Sequence, residues 1–574
     1  MLVLLISFLA LLNSGAFGIQ LRRVFPRAVA ACPSSTSDCT LTSRQQLQSV
    51  ENGVNMNITG SPVINSAIVP LTLSSDQRSY YTIIQSGHTS FRIGLDTASA
   101  DLWLVSSSCT SGACSALPKY QLGYQSPTFV PVNSNSTAFN VSYADGTVAN
   151  GFVAMETVQL SNLTVPNQAF GVVTDTNVTS SDQVSGILGL GFPRLSRVFN
   201  TVVNATPFFA TMAQRGLLDY PLFGISLTRN SSGSLTFGAI DGSVVSNTSL
   251  IEWNEVVPFA PFAAESNTSS YLQWTIPMKN FFVNGTAAAV QPTFPNITAG
   301  SSLALFDVGA SGIFGPWQDV ERLFTSLGGR LVDASGQWAV PCDVSETIAF
   351  QFNQQQFVLQ PTDYLIGPAT GSPGLCLSWP RASPPSADGI DWQFGTPFLR
   401  TVYSVYSFGI DRKEPPMIGL YPLNAATAPV ESPEQVEAFF SSASAAIATT
   451  LPNFPIATPT FTTPAYEFNV SVTASQGAIV TSGLATSTYS AVLATKHANV
   501  TAIQALTPSP TLVTFLITQD GQVRTSVSTV ATPTVTLGAP PGWNAGTSLS
   551  VPMDIISMSS LLVVLFSFLS STFL

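Results

Sequence analysis

The chain has 574 residues, too many for one ordinary domain, and 45% of them are hydrophobic while only 9% are charged. Acids outnumber bases 31 to 20, giving a net charge of −11 with no Lys/Arg run, which argues against a nucleic-acid partner. With only His88 and His497, and with neither HExxH nor a P-loop, a His-rich zinc site and phosphate-loop chemistry are excluded. An enzyme built on this chain works through carboxylates and calls for no metal or cofactor.

The chain opens on an apolar run, Leu2–Leu12, followed by small residues at Gly15–Gly18, which reads as a secretory signal over 1–18. Residues 19–67 are rich in Ser, Thr and Asn, with Arg22-Arg23 near the start, and are expected to be a pro-segment or N-terminal extension. Beyond them, short alternating runs separated by Gly, Asn, Ser and Pro predict strands at Tyr80–Ile84, Ser90–Leu95, Leu102–Ser106, Ala138–Tyr143 and Gly151–Leu160. Helical periodicity is confined to Pro207–Gln214 and Gln318–Leu327, so the class is all-β with few short helices. The β-rich part ends near Pro422. Residues 423–543 turn Ala-, Thr-, Ser- and Pro-rich, as at Thr449–Thr463 and Thr507–Thr511, the composition of an extended, O-glycosylated stalk. Tyr466–Val472 and Leu512–Thr518 keep strand character, which leaves room for a small β module there. Residues 544–574 carry the small triplet Asn544-Ala545-Gly546, a spacer and the apolar tail Ile555–Leu574. That is the pattern of a GPI-anchor signal, with the lipid on Asn544, or on Gly546 or Ser548; a retained tail anchor is the alternative.

Six cysteines behind a secretory signal point to disulfides, and sequential pairing is the simplest scheme: Cys32 with Cys39, Cys109 with Cys114, Cys342 with Cys376. Glycosylation is expected among the Asn-x-Ser/Thr sites at Asn57, Asn135, Asn140, Asn162, Asn177, Asn204, Asn230, Asn247, Asn267, Asn284, Asn296, Asn469 and Asn499.

An internal repeat carries the chemistry. Phe91-Arg-Ile-Gly-Leu-Asp96-Thr-Ala-Ser99 and Leu303-Ala-Leu-Phe-Asp307-Val-Gly-Ala-Ser311 are each an apolar strand ending in one Asp and a turn of small residues. Roughly 90 residues after each Asp comes a short segment ending in Gly, Ile187-Leu188-Gly189 and Gln393-Phe394-Gly395. A duplicated β domain with one Asp from each half follows. Two carboxylates brought together share a proton, so the ionised one can take a proton from water while the other donates to a carbonyl.

Over residues 68 to 422 the chain resembles the pepsin-like aspartic proteases. Asp96-Thr97-Ala98-Ser99-Ala100-Asp101-Leu102-Trp103 and Asp307-Val308-Gly309-Ala310-Ser311 are similar to the two catalytic motifs, and Tyr143-Ala-Asp145-Gly146-Thr147 to the flap. Gly186-Ile-Leu-Gly189-Leu-Gly191 and Gly395-Thr-Pro-Phe-Leu399-Arg400 resemble the later core motifs, and Cys109/Cys114 and Cys342/Cys376 fall where the family has disulfides. The resemblance implies two pseudo-symmetric β lobes, 68–250 and 251–422, with a cleft between them for an extended polypeptide. It implies catalysis by Asp96 and Asp307 at acidic pH, with Tyr143, Gly146, Thr147, Ser99 and Gly309 contacting substrate, in a monomer. In the family a basic pro-segment residue covers the dyad, and Arg44 is the candidate here. The anchor places the protein outside the cell, on the outer membrane face or in the wall.

Four positions depart from the family pattern: Ala98 for Gly, Val308 for Thr, Ala310 for Ser/Thr and Thr396 for Asp. Without a hydroxyl at 310, Asp307 is expected to hold its proton more firmly than Asp96. The departures leave two other readings standing, an inactive relative that binds peptide or wall polymer in its cleft, and a structural wall glycoprotein. Away from the dyad, His88 and Asp145 read as turn residues, Trp103 as packing with a bonded indole N–H, and Asp101 and Asp319 as structural or solvated. A glycan on Asn140 would narrow the cleft, unless its side chain faces the sheet.

Overall fold

Alternating burial in the strand Tyr80–Ser86, with Tyr80, Thr82 and Ile84 inward and Ile83 and Gln85 outward, is the period-two pattern read from the sequence. In the computed structural model such strands dominate and helices are short, an all-β, bilobal pepsin-like fold. The structure describes residues 65–542 except 199–201, 203–204, 230–232, 260–270, 411–412, 426, 444–446, 467–487, 494–501, 509–511, 520–521 and 530–534. Cys32, Cys39, Arg44, Asn57, Asn204, Asn230, Asn267, Asn469, Asn499 and Asn544 lie outside the described residues, as do the expected signal and lipid-anchor segments. Among the described residues no helix is long and apolar enough to cross a membrane.

The repeat is a structural one. In the first half, strand Thr89–Asp96 runs parallel to Val184–Gly189, with Asp96 opposite Gly189, and Leu102–Val105 pairs antiparallel on the other side. In the second half, Ser302–Phe306 runs parallel to Ile390–Phe394, with Phe306 opposite Phe394, and Ile313–Pro316 takes the antiparallel place. Each Asp therefore stands where the chain leaves a central, fully flanked strand. A sheet joins the halves: Leu222–Ser226 pairs with Val402–Ser407 and, on its other edge, with Gly233–Phe237. Trp274 ties them again, its indole N–H donating to Leu190 O at 3.0 Å and its carbonyl accepting from Phe306 N. Behind Asp307 the rings of Phe306, Phe350, Phe352, Phe394 and Phe398 form a continuous buried cluster, so the strand end is held by packing.

Among the described residues there are two disulfides, Cys109–Cys114 and Cys342–Cys376, with Cα separations of 6.0 and 5.0 Å. After Pro422 several described residues contact the β-rich part, while 448–466 has almost no regular structure and is mostly exposed. Helix Pro433–Ser442, started by a capping box at Ser432, buries Val436 and Phe440. Ile447 bridges Ala369, Phe461 packs on Trp317 and Tyr466 on Phe294. Buried Glu414 accepts hydrogen bonds from Val492 N, Leu493 N and the Tyr220 hydroxyl, and Ala505 pairs in parallel with Ile240. Beyond these contacts Leu512–Gln519 and Gln522–Thr529 form a two-stranded hairpin, and Gly538 N donates to Ser90 O.

Candidate active site

Asp96 and Asp307 meet. A Cβ added at Gly309 would lie 2.9 Å from Asp96 Oδ1 and 3.1 Å from Asp307 Oδ1, so both carboxyl groups converge on this bare backbone. They are within hydrogen-bonding reach of one another, and both are buried. Each inner oxygen accepts from its own turn: Ala98 N to Asp96 Oδ1 and Gly309 N to Asp307 Oδ1, both 2.8 Å. The Cβ of Ala98 thus leaves the turn's hydrogen bond intact. The outer oxygens differ. Ser99 Oγ donates to Asp96 Oδ2 at 2.5 Å, while Asp307 Oδ2 accepts from Gln393 Nε2 at 2.8 Å.

The two turns are braced from one side. Thr97 Oγ1 donates to Phe306 O at 2.9 Å and accepts from Val308 N at 3.0 Å, and the apolar Val308 is buried. At the floor, Leu190 N donates to Asp96 O and Gly191 N to Ser99 O; in the second half Asp307 N donates to Phe394 O and Thr396 N to Ala310 O. Thr396, standing where the family has Asp, also accepts from Arg400 Nη2 at 3.3 Å.

Burial first, and then the Asp96 charge, hold the Asp307 carboxyl far above the ordinary carboxylate range; the hydrogen bonds from Gly309 and Gln393 oppose this. The cause expected from the sequence, a missing donor at position 310, is not what the site shows. The outer oxygen has not lost its donor, because a carboxamide from the next strand replaces the absent hydroxyl.

The flap is the hairpin of Ala138–Ser142 with the start of Val148–Leu160. Its turn closes through Tyr143 N to Thr147 O and Gly146 N to Tyr143 O, with Gly146 at φ +83°. Asp145 Oδ1 accepts from Thr147 N and Oγ1, so it shapes the turn. The Tyr143 hydroxyl accepts from the Trp103 indole at 2.7 Å, and burial together with the Asp96 charge raises its pKa. Gly146 and Gly309 are exposed, and Ser99, Tyr143 and Thr147 half-buried, so each offers some surface to a ligand.

Asp101 and Asp319 are buried and bonded rather than solvated. Asp101 accepts from Ser196 Oγ and Arg197 N, and Asp319 pairs with Arg322. Exposed His88 sits in a turn at φ +69°. Asn135, Asn140, Asn162, Asn177, Asn247, Asn284 and Asn296 are all exposed, so Asn140 does not turn its side chain into the sheet. Gln393 is the residue that sequence reasoning missed as a functional group. Its signal was a polar residue in a buried strand at the place where the repeat has Ile187.

Paired carboxyls on a duplicated β fold define an acid–base hydrolase of the aspartic type. Residues 79–414 match the eukaryotic aspartyl protease family, and the chain belongs to it. It is similar to an aspartic protease of Phaffia rhodozyma, 29% identical over 334 residues that cover 57% of this chain and 73% of that one. Cathepsin E of Mus musculus is 29% identical over 359 residues, 60% and 82% of the two chains. Gastricsin of Homo sapiens is 29% identical over 333 residues, 56% and 76%. The protein is an aspartic endopeptidase acting on polypeptide, and the readings as an inactive binder or a wall glycoprotein are not favoured.

Proposed function

We propose that Asp96 and Asp307 together perform the hydrolysis, at acidic pH, on an extended polypeptide held under the flap. The observation that carries this is the convergence of both carboxyls on Gly309. Asp307, its ionised form disfavoured by burial, holds the shared proton and donates it to the scissile carbonyl oxygen. Asp96 in its ionised form takes a proton from a water between the two groups, and that water's oxygen attacks the carbonyl carbon. The tetrahedral species then collapses: the C–N bond breaks, the amine nitrogen takes the proton from Asp96, and a hydroxyl proton of the species returns to Asp307. Tyr143, Gly146 and Thr147 cover the peptide from above, and Ser99 and Gly309 line the floor. Cleavage of a denatured protein from acidic to neutral pH tests this. Asp96→Asn and Asp307→Asn are each expected to lose at least ~100-fold in rate; activity surviving in either would sink the reading.

The same proposal covers processing and location. Residues 1–18 are a signal, 19–67 a pro-segment, 68–250 and 251–422 the two lobes, and Asn544 the lipid-bearing residue of a monomer on the outer membrane face or in the wall. Two disulfides and seven exposed sequon asparagines support an extracellular setting. N-terminal sequencing of the mature protein, with release from cells by a phosphatidylinositol-specific phospholipase C, checks the two ends.

A further inference from the structure

The two halves meet one requirement with different residues. Each outer carboxylate oxygen has a donor. In the first half it is Ser99, three residues after Asp96; the same place after Asp307 is Ala310, which has none to offer. The donor there comes from Gln393, whose Nε2 lies 2.8 Å from Asp307 Oδ2.

Gln393 is the symmetry mate of Ile187. Ile187 stands opposite Gly94 and Trp103, and Gln393 opposite Leu305 and Phe314. These neighbours sit at matching places, two residues before and seven after each Asp. The first half thus combines Ser99 with Ile187, and the second Ala310 with Gln393. A hydroxyl donates to a carboxylate or accepts from a carboxylic acid. A carboxamide does both by turning over, with Nε2 donating or Oε1 accepting. As placed, it donates through Nε2, which favours the ionised form of Asp307.

We propose that Gln393 is a positioning residue for Asp307, taking the task of the hydroxyl absent at position 310 and fixing the carboxyl against its partner. The inference rests on the dyad reading above. It makes Ala310 and Gln393 one functional unit. The titratable group that acts on Asp307 is Asp96 from the first half, and Asp307 in turn raises Tyr406 of strand Val402–Ser407.

The test uses the full purified protein and a peptide substrate, comparing Gln393→Ile, Gln393→Ile/Ala310→Ser and Asp307→Asn across pH. Gln393→Ile copies the residue of the other half, so the strand keeps its packing. It is expected to lose ~10-fold or more in kcat with KM little changed. The alkaline limb of the profile is expected to move to higher pH, because a donor to the ionised Asp307 has gone. Ala310→Ser in the same chain is expected to restore both kcat and the limb. An unchanged kcat and limb in Gln393→Ile overturns the proposal. So does a change confined to KM, which would make Gln393 a substrate contact, or a folded double variant that stays impaired. Activity surviving in Asp307→Asn overturns the dyad reading, and this inference with it.

Discussion

At the dyad a single methyl group decides what each turn can accept. Ala98 carries a Cβ and keeps its amide on Asp96, whereas a Cβ at Gly309 would press on both carboxyl groups at 2.9 and 3.1 Å. The flexible end of a side chain can move aside from such a contact, but here the atoms displaced are the reacting ones. Gly309→Ala is expected to lose at least ~100-fold in kcat/KM at an unfolding temperature within a few degrees of the parent, whereas Ala98→Gly stays near parental activity. Equal activity in Gly309→Ala would show that the carboxyls tolerate displacement. Both Asp residues, the turns and the flap tyrosine were legible in the sequence, because each lies within a short contiguous motif. The contribution of Gln393 was not, because it depends on which strand the fold sets beside Asp307.

The strands were legible as elements, since their alternation is local: Ala138–Ser142 and Leu102–Val105 fall within a residue of where the pattern puts them. The contacts made after Pro422 were not legible, because composition reports what a chain can bury by itself, not what a prepared surface offers it. Glu414 is the clearest case. Its buried carboxylate takes the amides of Val492 and Leu493 and the Tyr220 hydroxyl, three donors that nothing near residue 414 in the sequence announces. Glu414→Ala removes their buried acceptor, leaving Val492 N only the Tyr220 hydroxyl at 3.4 Å, and is expected to cost about 1–3 kcal/mol. The readout is faster proteolytic nicking between 447 and 508 with peptide cleavage intact. Unaltered nicking would show that Ile503 and the Ala505–Leu506 pairing suffice to hold the segment.

The molecule as a whole is built for acid. Burial, as the largest cause, raises Asp101 to about 6 and also lifts Asp307, Asp319, Asp363 and Asp391 above the usual carboxyl range. A carboxyl whose pKa is higher folded than unfolded binds more protons in the folded state across that interval. Its favourable contribution is complete below the unfolded pKa, near 4, and is lost as pH rises through the folded value; for Asp101 that window closes at about 6. The shift of Asp101 alone corresponds to ~3 kcal/mol. The unfolding temperature is therefore expected to fall from pH 4 to pH 7, with a shallower fall in Asp101→Asn. A higher unfolding temperature at pH 7 would contradict this. Which carboxyls are buried is known only from the fold, not from the charge count.

The contact between Gly538 and Ser90 sets a distance. With the lipid on Asn544 as proposed, the anchor lies only six residues beyond that contact, a leash of about 20 Å when fully extended. Such a protease does not sweep a wide volume on a tall mast. So anchored in a membrane, it would ride close to the bilayer, and its reach would select substrates by height: polypeptides exposed just above the membrane would be within range, and those farther out would come to it only by diffusion.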